Sequence, residues 1–326
     1  MKSLKNKLLG VAMFASLGVI ANAPMAPAQT IDVASTASLF PQFYPLAIAD
    51  EQGLFKKEGI TIKELATSGG GATVAPVVSG DTPIGLASMS ATILARLEGA
   101  PIKVISGVSP NFLSTIVYAV HSDSKVQKLS QLTGMSRAKI GYTSGGSITD
   151  TASAVMVRAE KLREGTDVER VALGSMQAAT AALLTRQIEV EVANVNAVAD
   201  YVVKGNLRIV GDTSDYMKNY EANAIIVNAA YLEKNKETVR KFLRAYSQAA
   251  AFGNANKQWV EALYAKRAKV APEAAGIILK KLEWTTALNY EGFVNQLDLL
   301  KQNGDVKKDV DAKRLYDGMV DLSLLP

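Results

Sequence analysis

"TSGGGATV" (residues 67–74) and "TSGGSITD" (residues 143–150) are near copies of one another, 76 residues apart. Each follows an alternating apolar run, TIKELAT in one case and AKIGYT in the other. Each also precedes a helical pattern. After the first turn, Val74, Val77 and Val78 fall on one side of a helix. After the second, Ile148, Ala152, Val155, Met156, Ala159 and Leu162 recur at helical spacing. A glycine turn at the C-terminal end of a parallel strand permits backbone angles closed to other residues. It also aims the unpaired N–H groups of the next helix at the crevice, where the helix dipole favours negative charge. Either turn alone reads equally well as an ordinary tight strand-to-helix connection. The pair predicts two α/β bodies facing one ligand.

Outward from these turns the chain alternates strands with helices. IDVAST (31–36) is a strand, followed by the loop ASLFPQFYP and the helix LAIADEQGLFKKEGI, which ends near Gly59. TPIGLAS is a strand and MSATILARLEGA a helix, and IKVISGV and FLSTIVYAV are two more strands. The rhythm restarts near His121 with AKIGYT, then VERVAL, the helix MQAATAALLTRQ, the strand VEVANV, the helix AVADYVVKG and the strand LRIVGD. This order predicts parallel βαβ units. Beyond EANAIIVNAA (221–230) the pattern is helical, with helix starts at Asn235, Pro272 and Glu291 and stops at Gly253 and Gly304. The expected organisation is a first lobe over 29–119, a second lobe inserted at 120–222, and a return over 223–326 whose helical tail packs on the first lobe. The two chain crossings are expected near 118–122 and 222–227. No proline- or serine-rich linker separates the halves, which favours short crossover strands.

The N-terminus reads as an export signal. Lys2, Lys5 and Lys7 precede an apolar run of 14 residues (8–21), and Ala26 and Ala28 supply small residues for cleavage after Ala28. Cleavage after Ala23 would leave Pro24 first, and a retained anchor is the other reading. Dropping 28 of the 326 residues leaves 298, enough for about two domains. It also takes the formal charge from +5 to +2. No basic block or basic–aromatic stripe remains, so nothing calls for nucleic acid. With no cysteine, the chain has no thiolate metal site, no cysteine nucleophile and no lipobox.

Nucleotide phosphate is the sharper reading of the glycine turns, and the residues argue against it. Neither turn carries the lysine and Ser/Thr of a P-loop, and neither reads G-x-G-x-x-G. Ser147 and Asp150 form an S-x-x-D capping box that starts a helix. SMS (88–90) and GSMQ (174–177) stand at equivalent strand ends. Several helix N-termini converging on one cleft suit a small anion, a carboxylate or sulfonate.

The run ADEQGLFKKEGITIKELATSGGGATVAPVVSGDTPIGLASMSATILARLEGAPIKVISG resembles periplasmic substrate-binding proteins of the nitrate/taurine/aliphatic-sulfonate ABC-importer class. AKIGYTSGGSITDTASAVMVRAE is similar to the second-domain opening of that class. The resemblance implies a type II periplasmic binding protein fold, two Rossmann-like lobes joined by two crossover strands. It implies that Phe40, Gln42, Phe43 and Tyr44, with Gly70, Gly71, Ser88 and Ser90, contact the ligand from the first lobe. Ser144, Gly146 and Ser147 would do so from the second. Where the class often shows an aspartate-rich segment, this chain has VEVANVNAV, and Asn194 and Asn196 replace acids with neutral donors. That favours an acidic ligand over a cationic one. Each position has a plainer reading: Phe40, Phe43 and Tyr142 as core, Ser88 and Ser90 as helix caps, Asn194 as a turn residue, and the lone His121 as a surface or hinge residue.

The expected function is therefore a periplasmic, monomeric solute receptor without catalytic residues, cofactor or metal. Its partners would be a small organic anion and an inner-membrane permease. Two rivals are a sensor that presents ligand to a membrane kinase and a binder of a thiamine-pyrimidine-like or aromatic solute. A third is an enzyme on the same fold, but the thiamine-pyrimidine synthases use histidine and a cysteine-rich motif absent here.

Overall fold

The computed structural model describes residues 29–35, 40–67, 72–145 and 147–326. The export segment (1–28), Gly70, Gly71 and Gly146 lie outside the described residues. Strands β1 (Gln29–Ser35), β2 (Ile60–Ala66), β3 (Ile84–Ser88) and β4 (Ile102–Ser106) open the chain. Around them run α1 (Pro45–Glu51), α2 (Leu54–Lys57), α3 (Val74–Ser79) and α4 (Met89–Leu97). A second set follows: β5 (Ile116–His121), β6 (Ala138–Tyr142), β7 (Val168–Ala172), β8 (Val190–Asn194) and β9 (Leu207–Asp212). Its helices are α5 (Ile148–Ala159), α6 (Met176–Leu184) and α7 (Val195–Val203). Then come β10 (Asn223–Asn228), α8 (Ala229–Lys234), α9 (Lys236–Ala255), α10 (Lys257–Ala268), α11 (Pro272–Leu279), α12 (Tyr290–Asn303) and α13 (Ala312–Met319).

The strands form two five-stranded sheets, ordered β2-β1-β3-β10-β4 and β7-β6-β8-β5-β9. Each is parallel except for one strand: β10 runs antiparallel to β3 and β4, and β5 runs antiparallel to β8 and β9. The sheets share one plan, as the repeated turn predicts. Their central strands are apolar on both faces because helices cover both. In β10, Ala224 and Ile226 meet the layer of α4 and α12, while Ile225 and Val227 meet that of α1 and α9.

The crossings differ from the expected positions. The chain leaves the first sheet at Ser106 and enters the second at Ile116, so the crossing is 107–115 rather than 118–122. FLSTIVYAV reads as one strand, yet Phe112–Thr115 winds into a 3-10 turn. Ser114 Oγ donates to Asn111 O at 2.7 Å and Thr115 Oγ1 to Phe112 O at 2.7 Å, and these local bonds replace a ladder. The return crossing is 213–222, just ahead of β10.

The tail starts its helices at Lys236, Pro272 and Tyr290, close to expectation, and stops α12 at Gly304 with φ +83°. Gly253 is not a stop. It lies inside α9, where a Cβ would come 2.8 Å from Ile48 Cδ1 and 3.0 Å from Trp284 Cζ3, so its role is close packing. Nor does the tail serve the first lobe alone, because α11 packs along α7 of the second. The stretch 281–295 is fastened to both crossings. Gly107 N donates to Thr286 O at 3.1 Å and Thr285 N to Val108 O at 3.0 Å. At the other crossing, Glu221 N donates to Gly292 O at 3.2 Å, and Asn295 Nδ2 to Asn219 O at 2.7 Å. Among the described residues no helix is long and apolar enough to cross a membrane.

Candidate functional site

Topology fixes where a site must sit. The chain leaves the first sheet from the C-terminal end of β4 and enters the second at the start of β5, which is antiparallel to its neighbours. It returns from the end of β9 to the start of the antiparallel β10. The C-terminal edges of the parallel strands in both sheets therefore face the crossings and each other. Ligands of open α/β sheets bind beyond such edges. Of the thirteen residues expected to touch ligand ten are described, and these stand at the ends of such strands, on the connections that follow them or in the first turns of the next helices.

On the first lobe, Ser88 ends β3 and caps α4, its Oγ accepting from Ala91 N at 3.3 Å and lying 3.4 Å from Ser90 Oγ. Below it, Thr67 N and Oγ1 both donate to Ser35 O, at 2.8 and 3.0 Å. Thr67 Oγ1 also lies 2.7 Å from Thr73 Oγ1, which ties the ends of the glycine turn together. The Pro41–Phe43 turn is pinned by Trp284, whose Nε1 donates to Pro41 O at 2.8 Å. Phe43 and Tyr44 point into the core. The Tyr44 ring lies 5.1 Å from that of Tyr264, the Tyr44 hydroxyl is buried without a partner among the described residues, and burial raises its pKa above the usual phenol range. Phe40 is half-buried against the same core. Gln42 is different: it is 2% exposed, its Oε1 is buried, and neither amide atom has a described partner.

On the second lobe, three hydroxyls form a closed triangle. Thr143 Oγ1 lies 3.0 Å from Ser147 Oγ and 2.8 Å from Thr149 Oγ1, and the last two are 2.9 Å apart. Ser147 Oγ accepts from Asp150 N at 3.2 Å, the capping half of the expected box. Asp150 Oδ1 meets Arg170 Nη1 at 2.8 Å, and the guanidinium also lies over the Tyr142 ring at 5.7 Å. Ser144 is exposed on the turn, its carbonyl accepting from Ser147 N at 3.1 Å. Gly174, at φ +84°, leads to Ser175, which caps α6. Asn194 occupies the N-cap position of α7 but does not cap it. Its Oδ1, like that of Asn196, is buried without a partner among the described residues. An uncompensated buried amide oxygen is costly. A turn residue chosen for local bonding would have used it on the helix end.

Two features gave no sequence signal. Glu221, 3% exposed in the second crossing, accepts from Asn289 N at 3.0 Å through Oε2, while Oε1 is buried without a partner among the described residues. Burial pushes its carboxyl up to about 7. Trp284 anchors the Gln42 turn from the far end of the sequence. His121 sits on Asp123 at 2.7 Å and pairs with Leu207, at the edge of the second sheet away from the crossings. Among the described residues, no three His, Cys, Asp or Glu stand together as a metal site needs.

The model of the family described as NMT1/THI5 like matches residues 40–258, about two thirds of the chain. A search of curated proteins found no match. Among solved structures, the periplasmic aliphatic sulphonate binding protein SsuA of Escherichia coli superposes with a TM-score of 0.72 at 20% identity, covering 88% of this chain and 91% of that one. The periplasmic nitrate-binding protein NrtA of Synechocystis PCC 6803 gives 0.69 at 15% identity, with 91% and 87% covered. A cysteine-to-serine mutant of DSZB in complex with biphenyl-2-sulfinic acid gives 0.66 at 15% identity, with 88% and 96% covered. At these identities the likeness is one of fold.

Proposed function

Because the chain belongs to the NMT1/THI5-like family and has the two-sheet fold of periplasmic binding proteins, we propose that it is the solute-binding component of an ABC importer. In this reading it is exported on its N-terminal segment and captures a small organic anion between the facing strand edges. It then delivers that anion, a sulfonate or carboxylate, to a membrane permease. The observation that carries the proposal is the make-up of the loops after β1, β2, β3, β6, β7 and β8. They hold hydroxyls, amides and glycines, and no lysine, arginine, histidine or acid.

Oxyanions spread charge over several oxygens, which N–H and O–H donors satisfy. The N-termini of α4, α5, α6 and α7 add partial positive charge from both sides. Gln42, Asn194, Asn196, Ser88, Ser90, Ser144 and Ser147 supply the side-chain donors. Phe43 and Tyr44 hold the Gln42 turn from beneath. The compounds named with the similar structures, a sulphonate, nitrate and a sulfinic acid, share this oxyanion chemistry. No catalytic step is assigned: the chain has no cysteine and one histidine, which faces away.

The test is calorimetry and thermal shift with short alkanesulfonates, nitrate and small carboxylates. One of these binds one-to-one, and at a hundred times its Kd it adds about 2.7 kcal/mol of stability. Ser144→Asp, which sets a negative charge on the exposed second-lobe turn, lowers that affinity at least tenfold, about 1.4 kcal/mol, with unchanged circular dichroism. Failure of every oxyanion to bind, or a new product seen by mass spectrometry, rejects the proposal.

A further inference from the structure

Where α11 meets α7, the two helices do not close against each other completely. Between α11 and the layer formed by α7, β5 and β9 is a cavity of about 460 Å³, within the range of roughly 300–1,000 Å³ usual for small-molecule sites. Val195, Val202 and Leu207 of the second lobe form one wall, and Ile277, Ile278 and Leu282 of the tail form the other. None of the thirteen residues assigned to the solute cleft lines it. Ser114, Thr115 and Ser122 add hydroxyls to a lining that is otherwise mostly apolar, so the space suits a guest that is apolar over most of its length.

The charges at the rim choose the guest's head group. Arg208, Lys280, Lys281 and Asp212 are the charged residues lining the space, three cations against one carboxylate. Lys281 Nζ is committed to Asp212 Oδ2 at 2.5 Å. Arg208 spends its guanidinium on Gln127 Oε1, Ser124 O and Val126 O, at 2.8, 3.0 and 3.2 Å. Lys280 is exposed and has no hydrogen bond or ion pair among the described residues. Among the described residues Lys280 is the lining cation whose donors are unused, and beside an apolar wall it suits one anionic head on an apolar chain.

We propose that this cavity is a second ligand site, for an amphipathic monoanion such as a medium-chain carboxylate, with its head at Lys280 and its chain between Val202 and Ile278. One wall belongs to the lobe that carries β5 to β9. The other belongs to the tail that is fastened to the first sheet. A guest that touches both holds the lobes in one relative position, so the site couples to the solute cleft without sharing a residue with it.

The test uses the whole protein and the series hexanoate, octanoate and decanoate, with octylammonium as the control of opposite charge. Calorimetry should give about fourfold tighter binding per added methylene, the factor that corresponds to ~0.8 kcal/mol per buried CH₂, until the cavity is full. Octylammonium should bind at least roughly tenfold more weakly than octanoate, about 1.4 kcal/mol. Nuclear Overhauser contacts should run from octanoate to the methyl groups of Val202 and Ile278. Lys280→Glu should weaken octanoate, and Ile278→Trp, which fills the space, should abolish it. Ser144→Asp should leave octanoate binding unchanged, so this result stands apart from the fate of the solute cleft. Absence of octanoate binding, equal binding of octylammonium, or contacts to other methyl groups overturns the proposal. Should Ile278→Trp fail to fold, the wild-type methyl contacts decide.

Discussion

Gly107→Ala tests whether the first crossing is held by the tail. A methyl group on Gly107 would stand 2.0 Å from Ala287 O and 2.9 Å from its carbonyl carbon. Both are backbone atoms, so no side-chain tip can swing aside and one strand of the contact must move bodily. That movement breaks two bonds, Gly107 N to Thr286 O and Thr285 N to Val108 O. Overpacking of this kind costs about 1–3 kcal/mol, and each backbone bond is worth about 1 kcal/mol net. The expected loss is therefore roughly 3–5 kcal/mol, read as a shift in the urea midpoint at constant m-value. Trp284, buried and hydrogen-bonded three residues before Ala287, reports the same transition by its fluorescence. Gly276→Ala is the control. Gly276 lies in α11 with nothing within 4 Å of the added Cβ, and the same chemical change there should stabilise, by about 1 kcal/mol from helix propensity. If Gly107→Ala costs less than about 1 kcal/mol while still folding, the crossing is not fastened to 285–287 and the reasoning fails.

Two further outcomes follow from particular side chains. Burial pushes the carboxyls of Glu191 and Glu221 up to about 7; the folded protein holds these protons more tightly than the unfolded chain, so the stability they contribute is complete below about pH 4.5 and is lost as pH rises through about 7. Melting temperature should fall between pH 5 and 7.5, and Glu191→Gln with Glu221→Gln should flatten that slope; an undiminished slope assigns it to other groups. Ser147→Ala removes the cap of α5 and one corner of the hydroxyl triangle, and should cost about 1 kcal/mol in urea unfolding, whereas a change of only a tenth or two would mean that the cap is idle.

Much of the fold was legible because its information is local. A strand, a glycine turn and an amphipathic helix are each encoded within a dozen or so residues, so TSGGGATV and TSGGSITD announce equivalent corners of two equivalent lobes. Ownership of a strand is not local. Ile116–His121 reads plainly as a strand, since Ile116, Tyr118 and Val120 alternate with Val117 and Ala119. Its partners β8 and β9 come only much later in the chain, and nothing in the strand says which sheet will receive it. The crossing was misplaced for that reason, and because the bonds that curl 112–115 away from the ladder involve ordinary serine and threonine hydroxyls.

The same limit divides the site residues. Residue type was enough to place Ser88 and Ser147 at helix N-termini, which small polar side chains cap, and Asn194 at a strand end, where it leaves the helix uncapped. It could not separate Gln42 from Tyr44, both buried on one turn, the one an amide and the other a ring packed on Tyr264. Tyr44 is buried because Tyr264 offers it a ring, and the turn itself is fixed by Trp284, so the tail decides which side of 40–44 meets the core. The crossings obey the same logic. Asn111 accepts from Glu283 N at 3.0 Å in one crossing, and Glu221 accepts from Asn289 N at 3.0 Å in the other. A rotation of either lobe about 107–115 and 213–222 must carry or strain the single stretch that grips both. The tail is thus a third connection between the lobes, and the energetics of any closure include the bonds of 281–295 as well as those made to a ligand.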